Sequence, residues 1–418
     1  MILDNKILDN NIVVLRQGVS GSRAVSIGFW FAVGSRMENS DCRGISHFTE
    51  HMLFKGTRSR TARDISVAFD RIGGYSNAFT ESEDVCAYCT VPALGKNLET
   101  ALDVLCDMSC NCVFDPDEFE KERQVIKNEI LMVKDDMEES SAEKLASIVW
   151  PTSTLGMPIT GTLRDLQKIT VKNLASWYKK YFAKGQLIVT VTGPEKFVKN
   201  PVVEQRLSLL PLHKPYTKFH FDRDAVFCSR RKFLKSNFFQ AQLYLAFPFK
   251  CSLTKGEFFA SMVFNTILGD AMSSRLFETL REKNGICYSV YSYFSYYEDA
   301  SMWCSVVSCS PKNVAKAKSL LEREVFSFME NPPDDSEISN AIEHLCGEET
   351  ISSCDTEYAM KNLSRNFSMG LPLLKSSEVI DCIRSVKKND IMDIAKSVII
   401  RENSTFLVFS SGSRIDVK

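Results

Sequence analysis

The chain has 418 residues, of which 44% are hydrophobic and 25% charged, and its 51 basic side chains nearly match its 52 acidic ones. This length exceeds the roughly 250 to 300 residues at which a single hydrophobic core stops growing, so we expect two domains of roughly 200 residues each. The balanced charge gives no basic excess for a polyelectrolyte or an anionic bilayer, so we expect no nucleic-acid partner and no membrane partner.

The N-terminal residues 1–17 interleave charged and amide side chains with apolar ones, where a secretory signal peptide needs an apolar stretch. No apolar run in the sequence approaches the ~18 residues that a membrane-spanning helix requires. We therefore expect a cytoplasmic protein of the bacterial type. A mature organellar form, from which a targeting segment has been removed, stays open.

Apolar periodicity and turn residues predict the elements of the first half. Thr61 is a plausible N-cap with Asp64 three residues on, and a pair of glycines ends the helix that it begins. Asp115 and Pro116 open a long helix as an N-cap and a first-turn proline. The predicted order is strand 24–36, helix 44–56, helix 61–74, two strands within 75–92, helix 98–113, a long helix from 116, and strand 185–193.

The second half repeats this succession of elements. Its predicted order is strand 241–249, helices 254–270 and 273–285, two strands within 287–309, helices 311–331 and 336–353, and strand 404–412. We therefore expect an α+β protein made of two domains of one design, with residues 1–205 in the first and 206–418 in the second. A proline-bearing segment from about Pro194 to Phe221 is predicted to join them.

Fourteen cysteines are scattered through the chain, several of them inside apolar runs. This distribution is typical of buried free thiols in a reducing compartment. Cys86 and Cys89 have the CxxC spacing found in some zinc sites, and Cys106, Cys110 and Cys112 lie close together in sequence. Strand alternation places Cys86 and Cys89 on opposite faces, and no second pair follows at zinc-ribbon spacing, so a structural zinc site there is disfavoured.

The stretch HFTEH contains His47, Glu50 and His51, and it holds two of the five histidines of the chain. On a helix, residues three and four apart share one face, so all three side chains point into one site. Two imidazoles one turn apart can each bring a nitrogen to ~2.0 to 2.1 Å from one zinc ion, and a catalytic zinc needs a third protein ligand and an open position. That third ligand must come from another part of the chain. A chance pair on a helix is the alternative, but the order HxxEH matches the inverted arrangement of the inverzincins.

The stretch GISHFTEHMLFKGT resembles the M16 family of zinc metallopeptidases, the group of pitrilysin, insulysin and mitochondrial processing peptidase. In that family a glutamate on a downstream helix with the pattern ERxVIxxE completes the zinc site, and here ERQVIKNE runs from Glu122 to Glu129. The resemblance therefore implies Glu129 as the third zinc ligand and Glu122 as a supporting acid. Seven residues are almost two helical turns, so both carboxylates lie on one face. Taken without the histidines, this acidic segment would be a solvated helix surface.

The resemblance implies a fold of two homologous α/β-sandwich domains, each a mostly antiparallel sheet covered by helices. It also implies a zinc-dependent endopeptidase that hydrolyses peptides or unfolded segments inside a dimer chamber. His47, His51 and Glu129 would hold Zn²⁺, which polarises the scissile carbonyl. Glu50 lies on the same face and is not needed as a ligand, so we expect it to be the general base. The second half has no counterpart of HFTEH, so only one half carries the site.

Two further stretches resemble the family. The segment GGYSNAFTESEDVCAY matches its edge-strand region, to which an extended substrate adds by backbone pairing, and this makes Asn77, Ala78 and Phe79 candidates for substrate binding. An ordinary hairpin, with the glycines as a helix stop, explains the same residues. In LREKNGICYSV, Arg281 and Tyr288 match the pair that the family uses to bind substrate and stabilise the oxyanion. Taken alone, they would be a surface arginine and a half-buried strand tyrosine.

A chain with two such domains resembles the processing type of the family, in which two chains pair around a chamber. Because this chain carries both the zinc set and the pair Arg281 and Tyr288, we expect a homodimer in which this pair faces the zinc of the partner chain. Two alternatives remain. One is a non-catalytic scaffold or assembly subunit on the same fold, and the other is a zinc-dependent binding module without catalysis.

Overall fold

The computed structural model describes residues 2–218 and 225–416 and divides the chain into two compact units. The first unit comprises Met1–Met132, Met157–Phe219 and Thr350–Lys375, and the second comprises Val133–Gly156, His220–Glu349 and Ser376–Lys418. Residues 133–156 thus belong to the unit that contains the second sheet, and residues 350–375 belong to the unit that contains the first sheet. A single boundary at residue 205 does not reproduce this division. As a division into two homologous halves, that boundary stays a prediction.

The strands occur in two groups, one in each half of the sequence. They are β1 (Leu3–Ile7), β2 (Val13–Gly18), β3 (Ala24–Phe31), β4 (Tyr75–Thr80), β5 (Val85–Pro92), β6 (Leu187–Gly193), β7 (Arg231–Lys235), β8 (Ala241–Phe249), β9 (Cys287–Tyr296), β10 (Ser301–Cys309) and β11 (Thr405–Ser410).

The α-helices are α1 (Ile45–Leu53), α2 (Ala62–Arg71), α3 (Asn97–Asn111), α4 (Pro116–Asp135), α5 (Met137–Val149), α6 (Leu163–Leu166), α7 (Val171–Tyr181), α8 (Glu195–Val198), α9 (Val202–Leu207), α10 (Lys255–Asn265), α11 (Val314–Ser327), α12 (Asp335–Ser352), α13 (Thr356–Ser368), α14 (Ser376–Ser385) and α15 (Lys388–Val398). Two π-helical segments, Thr266–Asp270 and Phe277–Lys283, complete the helical parts that were predicted at 254–270 and 273–285. Short 3-10 turns lie at Ser35–Met37, Thr154–Gly156, Pro311–Asn313 and Arg401–Asn403.

The sheet of the first unit has the strand order β1-β2-β6-β3-β5-β4. The pair β2 and β6 is parallel, and the other neighbouring pairs are antiparallel. The inner strands β3, β5 and β6 are buried along nearly their whole length, since both faces of the sheet are covered. Strand β4 stands at the edge of this order, as expected for the segment that resembles the substrate-binding region.

The sheet of the second unit has the order β7-β11-β8-β10-β9. It repeats the pattern of the first sheet, because β7 and β11 are parallel and the remaining neighbouring pairs are antiparallel. Both sheets are therefore mostly antiparallel and covered by helices, which confirms the predicted fold class.

Each sheet has one face covered by a helix from the other half of the sequence. In the first unit, Met360 and Leu363 of α13 lie in a buried cluster with Val13 and Trp30. In the second unit, Leu145 and Val149 of α5 lie in a buried cluster with Tyr244 and Leu407. Neither covering helix was predicted from the sequence.

The segment expected to link the domains is partly structured. Helices α8 and α9 lie within it, and Val198, Val203 and Leu207 are fully buried in the core of the first unit. The prediction of a linker is wrong for this part, because its apolar side chains fill the first core. The last part of the predicted linker includes residues 219–221, which lie outside the described residues. No helix in the described part of the chain combines the length and apolar character needed to cross a membrane.

Candidate metal centre

Helix α1 begins at a turn that only glycine fits well. Gly44 has φ +82, and a Cβ atom there would lie 2.4 Å from the carbonyl oxygen of Thr160. Glycine offers no side chain to cap the helix, and the buried carboxylate of Glu38 takes that role. It accepts hydrogen bonds from the backbone N–H groups of Gly44 at 2.7 Å and Ser46 at 2.8 Å. Burial raises the pKa of Glu38 to about 7, although these two hydrogen bonds oppose the shift.

Packing fixes α1 against α4. The ring of Phe48 stacks on that of Phe119 with centroids 4.6 Å apart and planes 6° from parallel. Ile45 and Met52, one turn away on either side of Phe48, are buried in the same cluster with Ile126 of α4. One face of α1 is thus buried on α4, and the adjacent face carries the polar side chains of HFTEH.

His47, His51 and Glu129 meet where the two helices pack. Nε2 of His47 lies 3.3 Å from Oε1 of Glu129, and Nε2 of His51 lies 3.4 Å from Oε2. Two ligand atoms at ~2.0 to 2.1 Å from a tetrahedral zinc ion lie about 3.3 Å apart, so this donor set fits zinc. The side chain of Glu129 is 39% exposed and that of His47 only 9%, which leaves the centre open on the side of Glu129. These residues form the one group of three or more possible metal ligands found among the described residues.

The three side chains also influence one another's protonation. Hydrogen bonds from His47 and then His51 lower the pKa of Glu129 well below its ordinary value. Burial acts to lower the pKa of His51, but its hydrogen bonds with Glu129 and Glu122 outweigh burial and raise it. Without a metal ion the histidine therefore holds its proton more tightly, and a metal ion has to displace that proton.

Glu122 lies on α4, two turns before Glu129, and is buried. Its Oε2 is 2.9 Å from Nδ1 of His51, and its Oε1 is 2.6 Å from Nζ of Lys55. The predicted supporting acid is therefore in contact with one of the two histidines. Lys55 was not predicted, although its position four residues after His51 is the spacing that places two helical side chains side by side.

Glu50 lies beside the group without belonging to it. Its Oε2 accepts a hydrogen bond of 2.7 Å from Oγ1 of Thr80, the last residue of edge strand β4. The three predicted substrate-binding residues Asn77, Ala78 and Phe79 lie on the same strand. The structure therefore brings the predicted base and the predicted substrate strand together, through a threonine that the sequence did not single out.

Arg281 and Tyr288 lie in the second unit. The guanidinium carbon of Arg281 is 5.7 Å from the centroid of the Tyr288 ring and 4.8 Å from that of Phe277. Tyr288 is 76% exposed, so its hydroxyl is open to a ligand or another chain. The predicted pair is therefore assembled on one surface, and its role stays a prediction.

Cys86 and Cys89 are both buried, and they belong to different clusters on the two faces of β5. This confirms the strand alternation that disfavoured a zinc site there. All fourteen cysteines are free in the structure.

Family models match most of the chain. The model described as Insulinase (Peptidase family M16) matches residues 13–163, and the model described as Peptidase M16 inactive domain matches residues 168–345. An uncharacterized zinc protease of Bacillus subtilis is 31% identical over 417 residues, which cover 97% of this chain and 96% of that protein. The chain belongs to the M16 peptidase family.

Other members of the M16 family are similar over nearly the whole chain. An uncharacterized zinc protease of Streptomyces coelicolor is 30% identical, covering 96% of this chain and 88% of its own length. One of Rickettsia felis is 31% identical, covering 94% of this chain and 93% of its own. These proteins carry the name of zinc proteases, which agrees with a donor set suited to zinc.

Solved structures share the fold. An M16 inactive-domain protein of Pseudomonas fluorescens superposes with a TM-score of 0.89 at 16% identity, with both chains fully covered. A protease of Helicobacter pylori gives 0.83 at 17% identity, covering 98% of this chain and 99% of its own. A chain of Complex III from Candida albicans gives 0.82 at 16% identity, covering 97% and 95%. At these identities the likeness concerns the M16 fold alone.

Proposed function

We propose that the chain is a zinc-dependent endopeptidase that hydrolyses peptides or unfolded segments. One observation carries the proposal: side chains from α1 and α4 meet with three donor groups at zinc-ligand spacing, and a fourth side chain, the carboxylate of Glu50, lies beside them. The zinc protease names of relatives about 30% identical support the same class of chemistry.

His47, His51 and Glu129 would hold the metal ion. Zinc supplies Lewis acidity, which polarises a carbonyl and makes water a nucleophile near neutral pH. The protein supplies the rest of the arrangement. Glu122 accepts a hydrogen bond from Nδ1 of His51, so the lone pair of that ring is on Nε2, the atom nearest Glu129.

Glu50 is the proposed general base. It lies one turn after His47 on the same helix face, and its hydrogen bond from Thr80 holds one carboxylate oxygen in a fixed direction. The other oxygen can take the proton of the attacking water and pass it to the leaving amine. Water supplies the proton that the leaving amine receives, so this cycle needs no other proton donor.

Strand β4 is the proposed substrate site. It pairs with β5 on one side, and in the described sheet no strand lies on its other side. An extended peptide can therefore add to this edge through backbone hydrogen bonds, which bind chains with little regard to sequence. Thr80 links that edge to Glu50, so a peptide added along β4 would pass close to the base.

We further propose a homodimer with composite sites, in which Arg281 and Tyr288 of one chain serve the metal centre of the other. A guanidinium and a phenol are suitable donors to a developing oxyanion. Mixing inactive Glu50→Gln protein with inactive Tyr288→Phe protein tests this arrangement. Recovered activity is the expected result, and no recovery after verified subunit exchange would contradict composite sites.

The rival function is a non-catalytic scaffold, and the likeness to a chain of Complex III shows that this fold also occurs in a respiratory assembly. The fold therefore does not decide between the two. Four residues favour the peptidase, because a scaffold has no need of two histidines, a third ligand and a spare carboxylate at one point.

A peptide-library digest by the purified protein, with and without a chelator and read by mass spectrometry, tests the peptidase proposal. Cleavage that stops with chelator and returns with zinc is expected, and the Glu50→Gln protein should retain zinc without cleaving. Full cleavage by Glu50→Gln protein would remove the base from the mechanism. Zinc binding with no cleavage of any peptide by the parent protein would favour the zinc-dependent binding module or the scaffold.

A further inference from the structure

Lys55 stands just after the C-terminal end of α1 and is separated from Glu122 by 67 positions, yet the two are in direct contact. The distance from Nζ of Lys55 to Oε1 of Glu122 is 2.6 Å. The side chain of Lys55 is 28% exposed and that of Glu122 is 7% exposed, so the pair is largely removed from solvent. A buried carboxylate needs a hydrogen-bonding partner for each oxygen, because water is not there to supply them.

The two oxygens of Glu122 have different partners. Oε2 faces Nδ1 of His51 at 2.9 Å, and Oε1 faces Lys55. The carboxylate therefore cannot rotate about its terminal bond without losing one of two short contacts. That restraint passes to the imidazole, whose orientation sets where Nε2 points.

The other histidine has no such support from side chains. Nδ1 of His47 is buried and has no hydrogen-bond partner within residues 2–218 and 225–416. On its Nδ1 side the ring of His47 is held by packing, whereas that of His51 is held by two side chains in succession, Glu122 and Lys55. A misoriented carboxylate at Glu122 would therefore displace the ring of His51, which is one ligand of the metal centre.

We infer that Lys55 is a positioning residue of the metal centre, which acts through Glu122 to hold His51 ready for the metal ion. This inference rests on the zinc binding in the proposed function, and it adds a residue that donates nothing to the metal itself. Partners of this kind that orient a ligand change metal affinity by about 10- to 100-fold when they are removed.

The test measures the zinc dissociation constant by competition with a chelator, independently of peptide cleavage. Lys55→Met keeps the aliphatic part of the side chain and removes the ammonium group, and it should weaken zinc binding about 10-fold. Lys55→Arg, which keeps a cation able to donate to Glu122, should recover most of that loss. An unchanged affinity in Lys55→Met would overturn the inference.

A matched control is available on α4. Lys121 contacts Glu118 at the same 2.6 Å, but its side chain is 67% exposed. Exposed pairs of this kind contribute little, so Lys121→Met should leave the zinc dissociation constant within about twofold of the parent value. An equal loss in both variants would mean that general charge, and not the contact with Glu122, is responsible.

A double substitution separates positioning from a merely structural role. If Lys55 acts through Glu122, then adding Lys55→Met to Glu122→Gln should weaken zinc binding no further than Glu122→Gln alone. A further 10-fold loss in the double variant would contradict the inference. Circular dichroism of the metal-free proteins checks folding. Should Lys55→Met not fold, Lys55→Gln takes its place with the same expected loss, and an unchanged affinity there is equally decisive.

The two proposals fail in different ways. Zinc binding that depends on Lys55 in a protein that cuts no peptide would leave the positioning role intact and overturn the peptidase. Peptide cleavage by a protein whose zinc affinity does not change in Lys55→Met would support the peptidase and overturn the positioning role. A parent protein that binds no zinc would overturn both, and this result appears before any variant is made.

Discussion

In the first unit the chain leaves central strand β3 and forms α1, and in the second unit it leaves central strand β8 and forms α10. The two helices occupy corresponding places in their sheets, whose strand orders match except that β1 has no counterpart in the described second sheet. Helix α10 buries apolar side chains around its circumference, among them Phe258, Phe259, Val263 and Phe264. Helix α1 buries one side and leaves Glu50 and His51 only half-buried.

The difference shows how little of a fold has to change to create a candidate metal centre. Both helices are held by packing against their own unit, so neither position is special in its backbone. What distinguishes α1 is that its second face is polar and meets a carboxylate from α4. The fold supplies a rigid place, and a few side chains decide whether that place fills a core or binds a metal ion.

The most complete loss is expected when a ligand is removed. His51→Ala should abolish stoichiometric zinc binding and peptide cleavage, because two protein ligands do not hold a catalytic zinc ion. Metal analysis of the purified protein provides the measurement. Met262→Ala on α10 is the counterpart in the second unit, and it should leave the zinc content at the parent value. A zinc-loaded His51→Ala protein would contradict the assignment.

A large loss in rate alone is expected at Glu50. Glu50→Gln keeps the size of the side chain and its contact with Thr80 but cannot accept a proton, so kcat/KM should fall roughly 100- to 10,000-fold. Zinc content and thermal stability should stay the same. Steady-state kinetics on a cleaved peptide gives the rate, and a fall below tenfold would move the role of base to another group.

A substitution in the hydrophobic core of the second unit should lower stability without changing zinc affinity. Phe264 is fully buried, with its ring centroid 5.8 Å from Trp303 and 5.3 Å from Phe328. Phe264→Ala should lower the free energy of unfolding of its unit by about 3 to 5 kcal/mol, as for other buried aromatic rings. Denaturant unfolding measures this loss, and zinc affinity of the folded variant should be unaffected. A weakened zinc affinity would show that α10 is not purely structural.

The last comparison concerns how the two helices are capped. Helix α10 is capped by Thr254 and Glu257 at the surface, whereas α1 is capped by buried Glu38. The pKa of Glu38 is raised from 4.5 to about 7 by burial, with the charge of Asp165 adding to the shift. The folded state therefore binds a proton more tightly than the unfolded state. Glu38 therefore contributes its full stabilisation to the folded state below pH 4.5, and this stabilisation is lost as the pH rises through 7.

The pKa of Glu38 is raised by about 2.5 pH units, and at about 1.4 kcal/mol for each unit the free energy of unfolding falls by about 3 to 4 kcal/mol. Glu38→Gln removes this titration, so its free energy of unfolding should vary less between pH 4.5 and 8 than that of the parent. Thr254→Ala, the counterpart on α10, should lower stability by about 1 kcal/mol at every pH in that range. Parallel pH slopes for Glu38→Gln and the parent would contradict the raised pKa.

The sequence predicts those parts of the site that depend on local spacing. The positions of His47, Glu50 and His51 on one helix face follow from the period of an α-helix, and the capping box at Thr61 and Asp64 is found where the sequence places it. The third ligand Glu129 came only from a resemblance, since nothing in a sequence states which carboxylate meets a distant histidine.

Contacts between distant segments were missed for the same reason. Glu38, Lys55 and Thr80 touch the site residues through tertiary packing, and each would pass as an ordinary surface residue in the sequence. Helices α5 and α13 are amphipathic segments with no local sign of which sheet they cover. Each of these helices covers the sheet formed by the other half of the sequence. Hydrophobic periodicity indicates that a segment is a helix but not which sheet it covers.

The position of α13 has a consequence for biosynthesis. A ribosome releases the chain from its N-terminus, so every strand of the first sheet has emerged more than 160 residues before Thr356 does. Until then the sheet face formed by Val13, Trp30 and their neighbours has no cover from Met360 and Leu363. The nascent first unit must wait, with an apolar surface open to water and to chaperones, until α13 has been translated.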